Sequence, residues 1–209
     1  MNLTEMRAIV RRDLKDEDAA NYRWTDDELD RHIAHAVKEF SEYIPYEQKA
    51  IEATTSGSRE IDISTITDRI MVEAVEYPVD KFPRKYQRFS LWGDILTILG
   101  DEVPDGSNAN IYYGKLHTLG ESSTIPATYE DLIAAGACGY AAVEWAAYAI
   151  NRVNVGGTMT PREFLAWGEE RLRFFKDELK RLGRRNRARV RSLYKPYYPP
   201  VSKSTDYGP

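Results

Sequence analysis

Three histidines and one cysteine are the side chains in this sequence most ready to do chemistry. His32 and His35 stand three apart on a predicted helix, a spacing that puts two imidazoles on one face as in a zinc site. No third ligand extends that face, since Asp30 and Glu39 do not continue it, so the pair reads as partly exposed helix histidines. His117, near the end of a predicted strand, has no Ser or Cys nucleophile in an elbow motif and no suitably spaced acid. It reads as a loop histidine. Cys138 is alone, which rules out an internal disulfide, and its Ala- and Gly-rich surroundings suit a buried small hydrophobe rather than a reactive thiol. Asp26, Asp27, Glu28 and Asp30 could gather a divalent ion, yet carboxylates at a helix start are what the helix dipole favours. Gly136-x-x-Gly139 and Gly156-Gly157 follow no strand in the strand-turn-helix frame of a phosphate loop. The first reads as helix packing and the second as a turn. The expectation is a chain with no catalytic residue, no metal and no cofactor, and so not an enzyme.

Recognition chemistry is concentrated instead at the C-terminal end. From Lys180 onward the sequence holds nine basic residues against Asp206 alone, a charge of +8. The whole chain is −4, so residues 1–179 carry −12. Arg185, Arg187, Arg189 and Arg191 alternate, followed by Tyr194, Pro196, Tyr197, Tyr198, Pro199 and Pro200. Alternating Arg fits an extended strand with one charged edge, and the prolines favour polyproline II. With Val190, Leu193 and Val201 as its only aliphatic residues, this arm is not expected to fold by itself. Tyr and Arg together are the side chains of desolvated binding anchors, so the arm reads as a docking element.

The elements that must carry this arm follow from periodicity. The 209 residues, 42% hydrophobic, suffice for one core with a small subdomain set into it. Charged residues at Glu5, Arg7, Arg11 and Arg12 leave no room for a signal peptide, which predicts a cytosolic origin. Met6, Val10 and Leu14 predict a helix over 3–15. A polar linker, Asp16 to Arg23, leads to Thr25 and Glu28, a capping box that opens a helix to about Ile44. From Tyr46 to His117 the period shortens to two, with turn signals at Ser56-Gly57, Tyr77-Pro78, Trp92-Gly93-Asp94 and Pro104-Asp105-Gly106. This predicts five or six short strands as a meander, beginning with a hairpin at Ser56-Gly57. A third helix is predicted from Thr128, with Asp131 closing a capping box, to about Val153. It has the length of a membrane span, but its small residues and Glu144 argue for burial among helices, with no membrane. Thr160-Pro161-Arg162-Glu163 opens a fourth helix, ended by Gly183. The predicted fold class is α+β, mainly α: a helical bundle (1–47 and 118–184), an inserted small antiparallel β-subdomain (48–117) and an extended basic C-terminal arm (185–209).

Several passages together resemble the tailed-phage head-to-tail adaptor (connector, head-completion) family: Tyr22-Arg23-Trp24-Thr25-Asp26-Asp27-Glu28-Leu29-Asp30, Val72-Glu73-Ala74-Val75-Glu76-Tyr77-Pro78, Trp92-Gly93-Asp94 and Ile111-Tyr112-Tyr113-Gly114. The resemblance spans most of residues 1–185, in the larger form of the family that carries a strand-rich insert. It implies a homo-oligomeric ring, usually of twelve subunits, that docks on the portal protein through its C-terminal segment and seats the next neck, stopper or tail-tube protein. The implied portal-binding residues are Arg185, Arg187, Arg189, Arg191, Tyr194, Tyr197 and Tyr198. Packaged DNA would pass the ring's channel without specific binding, repelled by the acidic body. The implied location is the head-tail interface of the virion, after assembly in the host cytoplasm. The alternative is a nucleic-acid-binding protein whose arm puts Arg on phosphates and Tyr on bases. Against it stand the −12 body and the expectation that no helix carries a basic face.

Overall fold

The computed structural model describes residues 1–149 and 160–194. Helix α1 (Leu3–Leu14) opens on Asn2, whose side chain accepts from the Glu5 N–H while the Glu5 carboxylate accepts from the Asn2 N–H. Met6, Val10 and Leu14 are buried along one face, each such side chain stabilising by about 1.5–3 kcal/mol. Helix α2 (Asp26–Tyr43) starts at the predicted Thr25–Glu28 capping box and buries Leu29, Ile33, Val37 and Phe40. The linker between them is more than polar. Arg11, 6% exposed, donates to Asp16 at 2.6 Å, to Asp26 at 2.7 Å and to the Trp24 carbonyl at 3.0 Å. Asp16, itself buried, accepts the Arg23 N–H with its other oxygen.

A 3-10 turn (Ala127–Tyr129) leads into α3 (Glu130–Ala149). The turn starts at Pro126 with no side-chain cap, so the capping box expected at Thr128 does not form. Helix α4 (Pro161–Leu193) begins where Thr160 and Glu163 cap each other as predicted. Glycines let α3 and α4 approach closely: a Cβ on Gly136 would meet the Phe175 ring at 2.9 Å, and one on Gly139 would meet Leu172 at 2.7 Å. The stretch Ala127–Ala149 is long and apolar enough to cross a membrane, and most of it is buried in this packing.

The chain divides into two units: residues 1–47 with 114–186, and residues 48–113 with the chain from Arg187. The second unit is built on seven strands, β1 (Tyr46–Ala53), β2 (Glu60–Asp62), β3 (Arg69–Glu76), β4 (Tyr86–Gln87), β5 (Phe89–Trp92), β6 (Ile95–Ile98) and β7 (Asn108–Lys115). They form a four-stranded sheet in the order β1-β7-β3-β4 and a three-stranded sheet in the order β2-β6-β5. Ile61, Ile63, Leu96, Ile98 and Ile111 make a core of this unit's own.

Three expectations are corrected. The chain is not a mainly α bundle: among the described residues it is 47% helical and 21% strand, with four helices and two antiparallel sheets, an α+β fold that is not dominated by a helical bundle. The alternating apolar positions of the strand region close on each other as a separate core, which takes more strands than a small appendage. Nor is the sheet region a simple meander. The Ser56-Gly57 turn joins β1 and β2, which belong to different sheets. Finally, residues 185–193 are helix, not an extended arm. Gly183 lies inside α4, where a Cβ would meet the Tyr43 ring at 2.7 Å, so it serves close packing rather than a helix stop. Beyond it Arg, Ala and Leu are good helix formers, and arginines suit the negative C-terminal end of the dipole.

Candidate interaction site

The helical form of α4 decides what its arginines can do. Arg184, Arg185, Arg187 and Arg191 are exposed and form no ion pair among the described residues. Earlier on the helix, Lys180 and Arg181 are tied to Asp177 and Glu178 one turn back. Arg189 differs from its neighbours: its guanidinium lies 3.5 Å from a carboxylate oxygen of Glu73 on β3, whose side chain is 9% exposed. Tyr194 donates its hydroxyl to the Glu73 carbonyl at 3.2 Å and sets its ring edge-on to Tyr86 at 6.4 Å. Burial pushes the Tyr194 phenol up from its ordinary value. Of the predicted docking residues, Arg185, Arg187 and Arg191 are exposed with no ion pair among the described residues, whereas Arg189 and Tyr194 hold the end of α4 on Glu73. Tyr197 and Tyr198 lie outside the described residues.

The anchor sits beside a polar cluster that the sequence reading missed. Glu76, 2% exposed on β3, accepts from Asn110 Nδ2 at 3.0 Å and from the Tyr112 hydroxyl at 2.7 Å. Burial alone would raise the Glu76 carboxyl; the hydrogen bonds from Tyr112 and Asn110, with the charge of Arg84, bring it below its ordinary value. Burial, and then Glu76, push the Tyr112 phenol up to about 12, so it remains a donor at neutral pH. The available signal was two acids inside the apolar run Val72-Glu73-Ala74-Val75-Glu76, which have no place in a half-buried strand unless something pairs them.

The candidates for reaction chemistry are scattered. His32 is buried, not partly exposed as expected, and lies 3.3 Å from Glu144. His35 is exposed and stacks on Tyr140 at 4.2 Å. His117 is buried in the loop after β7, with Nδ1 2.9 Å from the Thr124 carbonyl, and burial lowers its basicity. The Cys138 thiol is fully buried, and that burial pushes it up to about 12. Asp26 and Asp30 are occupied by Arg7 and Arg11, while Glu28 closes the α2 cap. Among the described residues no three His, Cys, Asp or Glu side chains gather as a metal site. Comparison with family models and with curated proteins finds no match for this chain.

Proposed function

We propose that the chain is a structural adaptor of the tailed-phage head-to-tail kind: it assembles as a ring, docks on the portal through the end of α4 and the segment beyond it, and seats the next neck component. The observation that supports this reading most is the set of exposed arginines at 184, 185, 187 and 191, with no ion pair among the described residues, on a helix whose end is pinned by Arg189 and Tyr194. A pinned helix presents its guanidinium groups from a backbone that is already ordered, and each can meet a carboxylate bidentately. Repetition around a ring turns modest single contacts into lasting attachment. The location that follows is the head-tail interface of the virion, with packaged DNA passing through.

The test is retention of the full chain on portal rings. Changing Arg184, Arg185, Arg187 and Arg191 together to Gln, a good helix former without charge, leaves the pinning contacts in place and should abolish retention at unchanged helix content. Unchanged retention overturns the reading.

One observation favours the second reading, nucleic-acid binding. The end of α4 is a helix with exposed arginines, where none with a basic face was expected, although the −12 charge of residues 1–179 still opposes phosphate binding. If these four arginines meet phosphates, log K for duplex DNA should fall with log salt at a slope of about −3 to −4, and the same substitutions should remove it. Binding with that slope would move the assignment from portal to nucleic acid; weak, salt-insensitive binding keeps the first reading.

A further inference from the structure

The β5–β6 hairpin turns through Gly93 (φ 57) and Asp94, which leaves Trp92 at its corner. Trp92 pairs across the strands with Ile95, and Ile95 pairs with Asp62 on β2. Paired residues of an antiparallel ladder share a face, so one face carries Trp92, Ile95 and Asp62, with Ser90, Thr97 and Glu60 in the next row. Trp92 is 89% exposed. A large apolar ring in water, beside two carboxylates with no cationic partner among the described residues, has the make-up of an interface anchor with an acidic rim.

The helical unit carries a groove of matching character. A cavity of about 300 Å³ opens beside α2, lined by Leu3, Ile33, Val37, Leu116 and Leu119. Asp30 and Lys38 stand at its rim. Asp30 is neutralised by Arg7, which holds both its oxygens at 2.7–2.8 Å. Lys38 is exposed and has no ion pair among the described residues, so the groove offers an apolar floor with one free cation.

We propose that copies of this chain associate head to tail, the Trp92 corner of one copy seated in the groove beside Lys38 of the next, with Glu60 and Asp62 facing that lysine. Size and charge both match: an indole fills an apolar hollow, and carboxylates meet an unpaired ammonium. Such a contact uses different surfaces on the two copies, so it closes into a ring where the rotation allows and otherwise runs on as a filament. The inference deepens the ring in the reading above and rests on it only in that copies must meet.

Sedimentation velocity of the full chain across a concentration series tests it. Trp92→Ala removes the knob and Lys38→Glu reverses the rim; both positions are exposed, so the fold should survive, as circular dichroism would verify. Each variant alone should raise the self-association constant for dissociation about tenfold or more, as loss of an interface anchor does. Mixed one to one, the two variants should form a discrete heterodimer, because each keeps the half that the other lacks. A wild-type chain that stays monomeric, a Trp92→Ala chain that assembles as wild type, or a mixture that gives no heterodimer overturns the inference. Portal retention is read separately: knob-dependent assembly without portal binding keeps this inference and sinks the adaptor reading, and portal binding with assembly indifferent to Trp92 does the reverse.

Discussion

Replacing Gly183 by Ala distinguishes a helix interior from a helix stop by the sign of its effect. Within a helix, Ala is favoured over Gly by about 1 kcal/mol. Against that gain, the new Cβ would lie 2.7 Å from Tyr43 Cδ1, closer than a carbon pair tolerates, whereas Tyr43 Cβ at 3.4 Å is in ordinary contact. Overpacking of this kind costs about 1–3 kcal/mol, so the single substitution should destabilise by roughly 0–2 kcal/mol. In a Tyr43→Ala background the obstacle is gone, and the same substitution should stabilise by about 1 kcal/mol. The coupling across the cycle is therefore about 1–3 kcal/mol, well above what independent sites show. Urea unfolding, followed by the fluorescence of Trp24, Trp145 and Trp167, reads all four corners of the cycle. A Gly183→Ala change that destabilises equally in both backgrounds would refute the reasoning, because a glycine needed for a left-handed cap does not care whether Tyr43 is present.

Two further outcomes follow from the buried charges. Arg11→Met strands Asp16, whose side chain is 3% exposed, and should cost about 3–5 kcal/mol, much of it recovered by adding Asp16→Asn; a loss under 1 kcal/mol in urea unfolding would show that the pair is not effectively desolvated. His117 is held below its ordinary basicity by burial, so its contribution is fully present above the unfolded value of about 6.5 and is lost as pH falls through the lower folded value. His117→Gln should flatten the acid side of the stability curve by up to one proton, about 1.4 kcal/mol per pH unit, and a slope equal to the parent's would contradict this.

Most parts of the fold written in local chemistry were legible, the capping box expected at Thr128 being the exception. Thr25 with Glu28, and Thr160 with Glu163, are complete instructions for a helix start, and both helices begin there. The Gly93 turn is equally self-contained. Features that need a distant partner were not legible. A glycine near a run of arginines looks the same whether it ends a helix or admits Tyr43, and only the tertiary neighbour separates the two. Arginines at every second position suggest a strand by period, while their intrinsic preference is helical, and here the preference prevailed. Asp16 read as the start of a polar linker because nothing in the local sequence shows that it is buried against Arg11. At the candidate site, the free arginines could be read from charge alone. The pinning of Arg189 and Tyr194 could not, since Glu73 lies 116 and 121 positions away.

Those separations bear on synthesis. A ribosome releases residues 48–113 long before it reaches Arg189, and domains tend to fold in the order in which they emerge. Throughout that interval Glu73 has neither the guanidinium of Arg189 nor the hydroxyl of Tyr194 above it. The strand unit is therefore completed last, by a piece of chain that also carries the exposed arginines. Nascent or truncated chains lacking the end of α4 would thus lack the contacts on Glu73 and the exposed arginines together, so the strand surface and that basic helix end are completed in one step.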